Sequence, residues 1–145
     1  MHSTLFDKEK LNEYFENNPS LFIEYINQLD FEDLTFVQAL RKALLFGIPK
    51  KSVTIDQLAD KIGDKYYAVC SKQSNNIFKS SESVYTLAYC VILLSNDITC
   101  SQNNKTKKMT EKDFIVNCRG CNQSENFPDI FMKDIYQQIT SNPLI

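Results

Sequence analysis

The chain has 145 residues, 43% of them apolar, with 10 Phe, 7 Tyr and a net charge of −2. That length and apolarity suit a single folded domain over residues 1–145 with a real core, and they exclude a disordered tail. Arginine occurs only at Arg41 and Arg119, too little for a basic nucleic-acid face, and no run approaches the roughly 20 apolar residues that span a bilayer.

In chain order, Leu11, Tyr14 and Phe15 recur at helical spacing over residues 8–16. Asn18-Pro19 reads as a cap and first helical position, followed by one apolar stripe of Leu21, Phe22, Tyr25, Ile26 and Leu29. Thr35-Phe-Val-Gln38 has the form of a capping box. It opens a third helix with Phe36, Val37, Leu40, Ala43 and Leu44 on its stripe, ended by Gly47 and Pro49. After the loop Lys50-Lys51-Ser52, Thr54-Ile-Asp-Gln57 has the same capping form. The spacing of Ile55, Leu58, Ile62, Tyr66 and Val69 predicts a fourth helix. Ser71 to Asn76 is polar and reads as a turn, and Ile77-Phe78 as an apolar pin.

The run Tyr85-Thr-Leu-Ala-Tyr-Cys-Val-Ile-Leu-Leu-Ser-Asn-Asp97 is apolar on nearly every side, and candidate caps precede it at Ser80, Ser81 and Ser83. Such a helix belongs at the centre of a fold, wrapped by the others. Thr99 to Lys108 is polar, carries Lys105, Lys107 and Lys108, and reads as a surface loop. Thr110-Glu-Lys-Asp113 starts a sixth helix around Phe114, Ile115 and Cys118, closed by Gly120. Pro128 starts a last one with Ile130, Phe131, Ile135, Tyr136 and Ile139. No segment calls for a strand pair, so the expectation is an all-α domain of about seven helices.

The chemistry these residues permit is narrow. The only histidine is His2, which argues against Cys-His or Ser-His-Asp nucleophilic catalysis. With three glycines there is no phosphate-cradling P-loop. Cys118-Arg-Gly-Cys121 supplies half a zinc site and lacks the second pair of ligands; five cysteines in all read as reduced thiols of a cytosolic protein. Neither a metal nor a cofactor is called for, and no hydrolase, transferase or redox site stands out.

The order of motifs carries more. Phe36-Val-Gln-Ala-Leu-Arg-Lys-Ala-Leu-Leu-Phe-Gly-Ile-Pro49 is followed by Ile55-Asp56, Phe78, the run Tyr85 to Leu94, and Asp97. Lys108-Met-Thr-Glu-Lys-Asp-Phe-Ile-Val-Asn117, Arg119-Gly120, Asn122, Phe127-Pro128 and Ile135-Tyr136 complete the series. Over residues 11–143 it resembles the Sec7 domain, the exchange domain of Arf-family guanine-nucleotide exchange factors. The resemblance implies a right-handed superhelix of α-helices, here without the family's N-terminal helices. It also implies an apolar groove for the switch regions of an Arf-family small GTPase. Carried over by position, the groove residues are Ile48, Pro49, Lys50, Ile55, Leu58, Tyr85, Ala88, Tyr89, Ile92, Leu93, Ser95, Asp97 and Asn117. The implied location is cytoplasmic, with membranes, Golgi or endosomal, reached only through the lipidated GTPase. The basic cluster Lys105, Lys107 and Lys108 offers a small supplement on an anionic surface.

Two departures accompany the resemblance. The family loop reads Leu-Pro-Gly-Glu, and its glutamate is the catalytic finger that expels the nucleotide β-phosphate and its magnesium. Here the loop reads Ile48-Pro49-Lys50-Lys51, so Lys51 stands at the finger position, and no acidic residue occurs between Leu34 and Thr54. Ser95 replaces an asparagine, removing an amide that both donates and accepts. The lysine argues against efficient exchange by the carboxylate-finger route. It leaves an exchange domain of altered activity, a non-catalytic module that holds the GDP form, or a helical scaffold for another protein.

Overall fold

The computed structural model describes residues 4–101 and 108–144 of the chain. It is all-α: α1 (Thr4–Asn17), α2 (Pro19–Asn27), α3 (Phe36–Ala43), α4 (Ser52–Cys70), α5 (Ser81–Ser101), α6 (Glu111–Asn117) and α7 (Asp129–Ser141). Among the described residues there is no strand, only an isolated bridge between Asn122 and Glu125. His2, Lys105 and Lys107 lie outside the described residues, so the basic cluster does too, apart from exposed Lys108.

Local chemistry explains most helix ends. Thr35 accepts from the Gln38 amide at 3.2 Å while the Gln38 side chain accepts from the Thr35 amide at 2.9 Å, a reciprocal cap for α3. Thr110 and Asp113 repeat the device for α6. Pro19 occupies the first position of α2, where a missing N–H costs nothing. Ser80 Oγ accepts from the Ser83 amide at 3.1 Å as α5 begins. α3 stops at Ala43, and the chain turns through Gly47, whose φ of 123° a side chain would resist.

The boundaries of α4 and α5 move from those expected. α4 begins at Ser52, ahead of the capping box read at Thr54. The Lys51 carbonyl already accepts from the Thr54 and Ile55 amides, and the Thr54 hydroxyl is buried with no hydrogen-bond partner. α5 continues through Thr99 to Ser101, into the segment read as loop, with the Thr99 hydroxyl returned to the Ser95 and Asn96 carbonyls.

α4 and α5 form the most extensive helix pair; α2 and α3 pack on α4, α7 packs on α5, and α6 packs on α7. α5 buries Val84, Leu87, Ala88, Val91, Ile92, Leu94 and Ile98, as its apolarity predicts. Two aromatic clusters tie the periphery to this pair. Phe78, in the α4–α5 connection, meets Phe36, Tyr66, Phe127 and Phe131 at ring-centroid distances of 5.4–6.0 Å. Phe15 of α1 stacks on Phe22 of α2 at 4.7 Å, and both Phe15 and Tyr25 reach Phe46 of the loop after α3. Arg41 closes the far end, donating to the carbonyls of Gln138 (3.3 Å) and Asn142 (2.6 Å) where α7 runs out.

Gly63 sets how closely α4 and α5 cross. A Cβ there would lie 2.8 Å from the Ser81 carbonyl oxygen and 3.0 Å from the Tyr85 amide nitrogen, both backbone atoms. Alanine gains about 1 kcal/mol over glycine in helix propensity, but forcing two backbones apart costs about 1–3 kcal/mol. The clash outweighs the propensity, so Gly63→Ala is expected to lower the urea midpoint of unfolding. An unchanged or raised midpoint would show that the crossing has slack.

Candidate functional site

The central helix is not sealed on every side. Tyr85, Tyr89 and Leu93 recur at every fourth residue and form one row along α5. The two tyrosines are half-buried and Leu93 is 45% exposed. The Tyr85 and Tyr89 rings lie 6.3 Å apart, tilted by 57°. The Tyr85 hydroxyl donates to the Asp56 carboxylate of α4, and that hydrogen bond is the main reason the phenol is pushed up to about 12. Asp56 thus joins the row to the first turns of α4, where Val53 is 61% exposed.

The row ends at Asp97. Its carboxylate accepts from the Met109 amide at 2.8 Å, while the Met109 carbonyl accepts from the Tyr136 hydroxyl at 2.8 Å. Burial raises the Tyr136 phenol further. The Asn117 side-chain amide faces the Met109 sulfur at 4.0 Å. Asp97 and Asn117, both groove residues by the resemblance, therefore meet around Met109, which the sequence reading carried only within the run Lys108 to Asn117 and gave no role.

The remaining sequence-predicted groove residues divide in two. Leu58, Ala88 and Ile92 are fully buried and Ile55 nearly so; they support the row from beneath, with no surface to offer a partner. Ser95 is likewise buried: its hydroxyl accepts from the Leu144 amide at 2.9 Å and donates to the Leu144 carbonyl at 3.5 Å, fastening the C-terminal segment. In the loop, Ile48 is half-buried, Pro49 is buried, and Lys50 and Lys51 are exposed. Lys51 is the N-cap residue just ahead of α4, with no side-chain cap of its own. Its Cα precedes Asp56 by five residues, about 7.5 Å along the helix axis, so the loop tip stands close to the upper end of the tyrosine row.

An acid does reach this loop, which the local sequence did not show. Glu16 of α1 accepts from the Lys50 amide at 3.0 Å and the Lys51 amide at 2.8 Å through one carboxylate oxygen. Its other oxygen is buried with no hydrogen-bond partner. The contact spans 35 residues of sequence, so no spacing rule signals it.

Cys118 is buried and Cys121 half-buried, and the Cys118 thiol is pushed up by its hydrogen bond with Cys90 and by burial. Among the described residues, no group of three or more His, Cys, Asp or Glu side chains is arranged to hold a metal.

The family model for the Sec7 domain matches residues 1–144 of this all-α chain. The chain belongs to the Sec7 domain family. It is 32% identical over 148 residues to the ankyrin repeat, PH and SEC7 domain containing protein secG of Dictyostelium discoideum, covering 99% of this chain. It is 31% identical over 144 residues to the ADP-ribosylation factor guanine nucleotide-exchange factor sec71 of Schizosaccharomyces pombe, covering 96% of this chain. The chain spans only 14% and 8% of those two relatives' own lengths. Among solved structures, a Sec7 domain bound to ARF1-GDP and brefeldin A superposes with a TM-score of 0.77 at 27% identity, covering 95% of this chain and 69% of that one.

Proposed function

We propose that this chain docks on an Arf-family small GTPase through the Tyr85–Tyr89–Leu93 row and the Pro49 loop, and that it holds the GDP-bound form instead of expelling the nucleotide. The solved relative seated on ARF1-GDP supports the partner class, and the S. pombe relative's name supports an exchange-factor lineage. The observation that carries the reading is exposed Lys51 at the loop tip, where the Sec7 resemblance implies a glutamate finger.

The electrostatics follow from counting charges at that tip. Lys50 and Lys51 bring two cations, and Glu16 beneath them brings one anion, so the tip stays net positive. A carboxylate finger expels a nucleotide by repelling its β-phosphate and competing for magnesium. A lysine in the same position attracts the phosphate, and at about 4 Å near a protein surface one such pair is worth roughly 4 kcal/mol. The docking row needs no such sign. Tyrosine and leucine supply contact area and a hydroxyl handle whichever nucleotide is bound. No helix among the described residues is long and apolar enough to cross a membrane. Docking on an Arf-family GTPase supports a cytoplasmic location, with membranes met through that partner.

Immobilised chain offered GDP-loaded and nucleotide-free Arf-family GTPase at matched concentration is expected to retain more of the GDP-loaded form. Preference for the nucleotide-free form would mark an exchange factor and overturn the reading. Retention of neither would leave a helical scaffold for a different partner.

A further inference from the structure

We infer that Glu16 is the positioning residue of the loop tip, holding the Lys50-Lys51 backbone so that both lysine side chains are presented to the GTPase; this rests on the docking reading above. Lys50 and Lys51 lie just ahead of α4, where their N–H groups have no helical acceptor. Both turn onto a single oxygen of Glu16, at 3.0 and 2.8 Å, a charge-assisted pair supplied from another helix.

The neighbouring residue secures the same junction, since the Phe15 ring lies 6.4 Å from the Phe46 ring of the loop. The last turn of α1 therefore grips the loop twice, by an aromatic contact near its start and by a carboxylate at its tip. With one oxygen committed to two amides and the other buried without a partner, the carboxylate is not free to act as a substitute finger. Its role is to fix where the cations stand.

Amide hydrogen exchange on the free chain tests this without any GTPase. In Glu16→Ala, the Lys50 and Lys51 amides should exchange roughly tenfold to a hundredfold faster than in wild type, the loss expected for hydrogen bonds to a charged acceptor. Protection of the α4 and α5 core amides should persist. Glu16→Gln keeps an oxygen acceptor and loses the charge, so its two amides should fall between the others. The same three proteins, titrated with GDP-loaded GTPase, should rank wild type, Gln, Ala in affinity, with Ala weakened about tenfold by loss of the presented tip. Equal exchange rates at Lys50 and Lys51 in wild type and Glu16→Ala would overturn the inference, as would faster exchange with unchanged affinity. Should wild type bind no GTPase, the docking reading and the presentation role fail together, while the exchange rates still decide whether Glu16 holds the loop.

Discussion

Lys51→Glu is expected to convert this chain from one that retains nucleotide on its GTPase into one that speeds its release. The substitution replaces attraction between the tip and the β-phosphate by repulsion of similar size, roughly 4 kcal/mol for one pair of charges about 4 Å apart. The full swing from attraction to repulsion is thus roughly 8 kcal/mol; if about half of it reaches the barrier, release accelerates by about a thousandfold, since each 1.4 kcal/mol is a factor of ten. Salt and solvent at an exposed tip reduce the figure, and the Glu16 carboxylate below the tip opposes a second negative charge there. A gain of about a hundredfold is the expected result under ordinary buffer conditions. Lys51→Ala separates the contributions: it removes the attraction and adds no repulsion, so it should fall between the two. The chain's thermal stability should barely change in either variant, because Lys51 is exposed and offers no side-chain cap to α4.

Phe78→Ala carries the largest expected loss of stability. Phe78 is 5% exposed and meets four aromatic rings, drawn from α3, α4, α7 and the segment before α7. Its backbone is held as well, with the Phe78 amide and carbonyl both bonded to the Asn76 side chain at 3.0 and 2.8 Å. Truncating a buried phenylalanine costs about 3–5 kcal/mol, through lost transfer free energy and a cavity its neighbours only partly fill. For a domain whose total stability is about 5–15 kcal/mol, that is a large share. At about 2–4 °C per kcal/mol the melting temperature should fall by roughly 10 °C. Ile130→Ala serves as the control: Ile130 is 84% exposed, and its loss should move the transition by little. A Phe78→Ala midpoint matching the control would mean that the rings do not form one packed cluster.

What could be read from the sequence is what local chemistry decides. The caps at Thr35 and Thr110 lie within four residues of their partners, and both form. The central helix announced itself by apolarity without a break, and the Asn18-Pro19 and Pro128 starts were likewise visible in place. The Thr54 cap looked the same on paper and does not form: α4 begins at Ser52, and the two amides ahead of it donate to Glu16, which is distant in sequence. The helix that carries the central candidate residues was legible, and which of them stay open to solvent was not. Apolar spacing put Ala88, Ile92, Tyr89 and Leu93 on one helix without telling which row the other helices would cover. The row left open is Tyr85–Tyr89–Leu93; Ala88 and Ile92 are under it. Ser95 reads as a polar group at a helix mouth, yet its partner is Leu144, 49 residues on. Met109 carries no motif of its own and matters only because Asp97 and Tyr136 converge on its backbone.

Nucleotide release measures the sign of charge at the loop tip most directly. A GTPase of the Arf family loaded with a fluorescent GDP analogue is mixed with excess unlabelled nucleotide, with and without the wild-type chain, and the release rate is followed at increasing chain concentration. The expected result is a rate that stays at the spontaneous value or falls as the chain saturates the GTPase. A rate that climbs with chain concentration, tenfold or more above spontaneous release, would contradict it and show that this Sec7 domain expels nucleotide despite its lysine.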